Sequence, residues 1–145
     1  MTNQTILAFD FGMKYIGVAT GQTITRTATP LTSLQAKQGV PDWQAVKKLI
    51  DDWRPVLLLV GIPLHMDGTR QAMTDHARDF ATALEQTSGL PVAEVDERLS
   101  TWEAKHRLTA QKKHKHKDFR SKGALEDVNA TAAAILVEQW FHDNP

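Results

Sequence analysis

Apolar residues fall in short blocks near the start of the chain and at helical intervals further on. Residues 6–9 and 15–19 form two such blocks, with Gly12 between them, and read as a β-hairpin. Gly21-Gln22 offers the next turn, and residues 23–31, rich in β-branched side chains, predict a third strand stopped by Pro30. Gly39-Val40-Pro41 reads as a loop. Pro41-Asp42 opens a helix that carries Trp43, Val46, Leu49, Ile50 and Trp53 on one stripe and closes at Pro55. That spacing assigns both tryptophans to the core rather than to base stacking.

Residues 56–60 are a continuous apolar run ended by Gly61, the pattern of a central strand buried on both faces. A Gly/Pro-punctuated loop over 61–69 leads into a helix with Met73, Ala77, Phe80 and Leu84 on one face, ending at Ser88-Gly89. Residues 90–95 predict another strand, with Asp96-Glu97-Arg98 at its end. Ser100-Thr101-Trp102-Glu103 has the capping-box pattern of a helix start. An alanine-rich helix over about 123–141 closes the series. A meander of strands followed by strands alternating with helices predicts an α/β fold, a mixed five-stranded sheet with helices on both faces. No internal repeat or linker divides the 145 residues, so one domain is expected.

Composition narrows the function. The chain contains no cysteine, which excludes disulfides and thiolate metal sites and fits a reducing cytosol. No apolar run approaches the ~20 residues of a membrane span, and residues 1–5 lack a signal-like core, so a cytoplasmic location is expected. Net charge is zero, but residues 105–122 hold eight basic side chains against Asp118 alone. This local +7 suggests contact with a polyanion, the plain alternative being a solvated loop. Lys113, Lys115 and Lys117 alternate there with His114 and His116, which suits gripping a phosphate backbone better than holding a metal.

Three element ends carry acids: Asp10 after the first strand, Asp96 or Glu97 after the last, and Asp127 early in the last helix. Asp127 shares a helical face with Ala130, Thr131 and Ala134, small enough for close approach to the sheet. Converging carboxylates repel unless a cation lies between them, and hard oxygen ligands suit Mg²⁺ or Mn²⁺. From spacing alone, three unrelated surface acids are the somewhat favoured reading.

The segments 8–19, 60–69 and 96–101, together with Asp127 and its following alanines, resemble the YqgF/RuvX family. Its members are ribonuclease H-like proteins described as Holliday-junction resolvases and as nucleases of pre-16S ribosomal RNA. The resemblance covers almost the whole chain, with four motifs in the same order. It implies that Asp10, Glu97 and Asp127 are the catalytic, metal-binding acids, holding two Mg²⁺ or Mn²⁺ ions, and that Asp96 and Glu126 do not ligate. In the mechanism it implies, Asp10 bridges the ions and water attacks phosphorus in line, with no histidine base. Amides of the 61–69 loop, including Gly68 and Thr69, would receive a phosphate, with Lys14 and Arg98 as further phosphate contacts and Lys113, Lys115 and Lys117 gripping the backbone. The chain departs from the family in placing Glu126 directly before Asp127, where an apolar residue is expected.

The expected activity is thus metal-dependent cleavage of structured nucleic acid, foremost at the 5′ end of precursor 16S ribosomal RNA, with ribosomal precursor particles as partners. Branched DNA is the alternative substrate. A non-catalytic RNA-binding module is a reading of another class. The Asp10-Phe11-Gly12 hairpin also resembles the phosphate hairpin of actin-like ATPases, but those need a second such hairpin that this chain lacks room for. No exposed apolar stripe predicts a dimer, so a monomer or weak homodimer is expected.

Overall fold

A computed structural model describes residues 2–64, 71–96 and 122–145, the last segment with side chains from Val128 onward. β1 (Thr5–Asp10), β2 (Tyr15–Gln22), β3 (Thr27–Lys37) and the two-residue β4 (Val40–Pro41) form an antiparallel meander. α1 (Trp43–Trp53), β5 (Leu57–Ile62), α2 (Ala72–Ser88), β6 (Val92–Asp96) and α3 (Lys122–Asp143) follow. The sheet order is β4-β3-β2-β1-β5-β6, with β5 parallel to β1 and β6 parallel to β5.

Alternation along the strands builds two cores. Leu7 and Phe9 of β1, Ile16 and Val18 of β2, and Leu58, Val60 and Ile62 of β5 pack against Val46 of α1 and Ala77, Phe80 and Leu84 of α2. The Phe80 ring gathers three neighbours, Phe9 at 5.8 Å, Phe11 at 5.5 Å and a stacked Trp43 at 5.7 Å between centroids. On the opposite face Ile6, Ala8, Ala19, Leu59 and Val95 pack against Ala133, Ala134, Leu136, Val137 and Phe141 of α3. Helices therefore cover both faces of the mixed sheet.

The ends of the helices follow local chemistry. Asp42 caps α1 by accepting from the Gln44 amide at 2.9 Å, and Arg54 ends it in the left-handed region before Pro55. Gly89, at φ +70°, closes α2. Arg26, in the β2–β3 turn, donates to the Phe141 carbonyl near the end of α3, and its guanidinium lies 4.9 Å from the Phe141 ring centre.

Several boundaries differ from the sequence reading. β3 passes through Pro30 instead of stopping there. The register moves between Val18↔Thr32 and Ala19↔Pro30, leaving Leu31 as an extra residue, and such a bulge tolerates a residue without an amide proton. The predicted 39–41 loop contains a sixth strand. Gln38 at φ +50° and Gly39 at φ +82° make a tight two-residue turn that pairs Val40 and Pro41 back onto Lys37 and Ala36. Gly21 and Gly61 lie inside β2 and β5 rather than punctuating them. Strand β6 begins at Val92, not at residue 90. Trp43 is in the core as expected, whereas Trp53 is 37% exposed. The helix predicted from the 100–103 capping box lies outside the described residues.

Candidate functional site

The carboxyl ends of the parallel strands β1, β5 and β6 lie at one edge of the sheet, where open α/β sheets place their ligands. Asp10 is the last residue of β1 and is half-buried. Strand alternation assigns it to the face of Ile6 and Ala8, the face covered by α3. Its cross-strand partner is Gly17.

At Gly17 the backbone of α3 comes down onto the sheet. A methyl group there would collide with the Asn129 carbonyl and lie 2.9 Å from the Ala130 amide nitrogen. Only a residue without a side chain lets helix backbone rest on strand backbone in this way. Further along the same strand face, Ala19 and Gly21 continue the narrow floor, with Val137 and Phe141 over Gly21. Position 127 is two residues before Asn129, about 3 Å of helix rise. It falls on the helical stripe of the buried Ala130 and Ala134. The backbone thus brings α3 at Asn129 and Ala130 over the Asp10–Gly17 pair. Gly17 entered the sequence reading within the 8–19 segment and the phosphate-hairpin resemblance, not as a packing contact. Its signal was the coincidence of a glycine opposite the acid and an alanine stripe in a distant helix.

The other expected site residues are placed less fully. Asp96 ends β6 opposite Ile62, and its carbonyl accepts from Gln139 Nε2 at 3.1 Å. Gln139 is about 18 Å of helix rise beyond position 127, so β6 ends against the later part of α3. In β6, Ala93 and Val95 face α3, whereas Glu94 pairs with Arg78 of α2 at 3.5 Å. Asp96 therefore falls by alternation on the α2 side. Glu97, Arg98, Lys113, Lys115 and Lys117 lie outside the described residues, as do Gly68 and Thr69. Both ends of the loop that holds Gly68 and Thr69 are described. Buried Thr74 of α2 donates to the Pro63 carbonyl and accepts from the Gln71 amide at 2.9 Å, joining the end of β5 to the start of α2. Lys14 is exposed in the β1–β2 turn, four residues from Asp10. Among the described residues, no three acidic or histidine side chains gather as a metal cluster.

Solved structures agree with this topology. RuvC of Thermus thermophilus in complex with a Holliday junction substrate superposes with a TM-score of 0.51 at 14% identity, over 97% of this chain and 95% of that one. A further Thermus thermophilus RuvC structure matches equally, at 0.51. The fold is ribonuclease H-like, the mixed architecture expected, with six strands rather than five. A family model described as "RuvX: Holliday junction resolvase" matches residues 4–143. Among relatives, a protein of Pectobacterium carotovorum named "Putative pre-16S rRNA nuclease" is 52% identical, covering 97% of both chains. One of the same name from Proteus mirabilis is 48% identical over the same shares. Fold and relatives together define a nuclease. The chain belongs to the RuvX family.

Proposed function

We propose that this chain is a divalent-metal-dependent endonuclease that cuts structured RNA at the 5′ end of precursor 16S ribosomal RNA. The observation that carries this reading is the seating of α3 backbone on Gly17, directly across from Asp10. It supports a site that draws on both Asp10 and Asp127, because position 127 lies two residues before Asn129 in the helix. Two carboxylates brought to one edge raise each other's cost of ionisation unless a cation is shared, and an all-oxygen set fits Mg²⁺ or Mn²⁺. Glu97 joins them as the third ligand on the strength of its motif alone.

In this reading Asp10 and Asp127 hold two ions at the sheet edge, and Glu97 closes the set. Bound there, the ions supply Lewis-acid stabilisation of charge at the reacting phosphate and lower the pKa of water. The protein's own part is positioning. The Thr74 clamp fixes the ends of the loop whose Gly68 and Thr69 amides receive a phosphate. Lys14 and Arg98 neutralise neighbouring phosphates, and Lys113, Lys115 and Lys117 hold the backbone further out. One domain carries all of these groups, acting in the cytoplasm as a monomer or weak homodimer, with ribosomal precursor particles as the setting.

Purified protein with Mn²⁺ should cut a precursor 16S transcript at its 5′ extension and leave a four-way DNA junction intact. Asp10→Asn should lower cleavage by roughly 10²-fold or more, the equivalent of several kcal/mol of lost Lewis-acid stabilisation, while RNA binding persists. Cleavage of the junction alone would favour branched DNA as substrate. RNA binding with neither substrate cut would favour the non-catalytic module.

A further inference from the structure

Beside the acid edge lies a groove of about 610 Å³, lined by Lys14, Tyr15, Gln35, Lys37, Val40 and Asp42. Its volume is that of a site for one small molecule or one nucleotide unit. The fold builds it from three segments locked together by backbone bonds. The Ala36 amide donates to the Lys14 carbonyl at 2.8 Å, and the Gly39 amide to the Met13 carbonyl at 2.9 Å. The β1–β2 turn and the β3–β4 hairpin therefore form one rigid wall. Tyr15 pairs with Gln35 across the strands and lies two residues from Gly17, on the same face as Asp10. At strand spacing this puts Tyr15 about 7 Å from the Gly17 position.

The chemistry of the lining is mixed in a particular way. Lys14 and Lys37 are exposed cations. Among the described lining residues Asp42 is the one acid, and its carboxylate is engaged in capping α1 through the Gln44 amide. Val40 is 58% exposed and supplies an apolar part of the lining across β3 from Tyr15. An aromatic ring with an apolar neighbour, flanked by two ammonium groups, suits an unpaired base and its phosphates rather than a duplex or a small acidic metabolite. A paired base cannot enter, because its faces are occupied by stacking and its edge by its partner.

We infer that this groove receives a single-stranded stretch of RNA flanking the cut position. A base lies against Tyr15 and Val40, and the adjoining phosphates meet Lys14 and Lys37. The inference rests on the proposed RNA-cleaving function and adds to it a reason for choosing junctions between paired and unpaired RNA.

The test is a fluorescence-anisotropy titration of the full chain in EDTA, so that nothing is cut. One probe is an RNA hairpin with a single-stranded 5′ extension of about six nucleotides, the other the same hairpin with a blunt end. Wild type should bind the extended hairpin about tenfold more tightly, and Lys37→Glu and Tyr15→Ala should each erase most of that preference. Lys37 is exposed, so its variant keeps the test decisive if Tyr15→Ala unfolds. Absence of a preference in wild type, or its persistence in Lys37→Glu, overturns the groove. Mn²⁺-dependent cleavage of precursor RNA is scored separately. Cleavage without a tail preference leaves the nuclease reading standing and removes only the groove, whereas a chain that neither binds nor cuts RNA removes both.

Discussion

Replacing Gly17 with alanine tests the contact on which the site geometry depends. The new methyl group would meet the Asn129 carbonyl and the Ala130 nitrogen, both backbone atoms, so no rotamer change relieves the clash. The methyl would lie 2.0 Å from the Asn129 oxygen, and restoring ordinary contact, at 3.4 Å or more, requires α3 to lift by about 1.4 Å. Close-packed interiors resist such a shift. Overpacking of this kind costs about 1–3 kcal/mol, and backbone against backbone belongs at the upper end. For a domain of this size that corresponds to a fall of roughly 4–12 °C in Tm. A 1 Å displacement of a catalytic group costs about 10²-fold in rate, so cleavage should fall further than stability explains. Two other glycines provide the scale. At Gly21 the nearest atom is Val137 Cγ1 at 2.5 Å, on a buried valine whose χ1 is restricted in a helix, so Gly21→Ala should cost about 1–3 kcal/mol with no clash of backbone against backbone. At Gly89 nothing lies within 4 Å, and Gly89→Ala should cost only the left-handed backbone penalty of about 1 kcal/mol, with cleavage unchanged. Urea titration and Mn²⁺-dependent cleavage of a precursor transcript would be measured on all three. Gly17→Ala with stability within about 0.5 kcal/mol of wild type and full cleavage would refute the close contact.

Other perturbations separate stability from function. Replacing Lys113, Lys115 and Lys117 with alanine should flatten the dependence of log affinity on log salt by about 2–3, read from anisotropy at several salt concentrations. Asp42→Ala removes the cap on α1 and should cost about 1 kcal/mol in urea titration. Leu84→Ala opens a cavity in the fully buried α2 core and should cost about 2–5 kcal/mol, with cleavage per folded molecule unchanged at low temperature.

Much of the fold was legible because burial in it follows simple periods. The residue 6–9 block alternates between two cores, and Met73, Ala77, Phe80 and Leu84 share one face of α2 as their spacing required. Glycine was the main source of error. Gly21 and Gly61 were read as punctuation, whereas Gly21 sits within a strand and leaves room for Val137 and Phe141. Room of that kind is set by a partner distant in sequence, and no local pattern reveals it. The β3–β4 turn escaped notice because Gln38 takes a left-handed conformation that Asn or Asp would have advertised. Pro30 was misread because a strand with a bulge no longer needs its amide there. For the site, the end of β1 at Asp10 was legible from the apolar block before it. The groove of Tyr15 and Lys37 was not, since it forms only when two hairpins are joined side by side.

Gly17 and Asn129 meet across more than a hundred intervening residues. Contacts of such sequence separation carry a high loop-closure cost and are made after the local pairings that support them. The β1–β2 hairpin should therefore form ahead of the α3 contact, so that docking of the helix is a late event in folding and amide protons of the hairpin gain protection from exchange before those of α3.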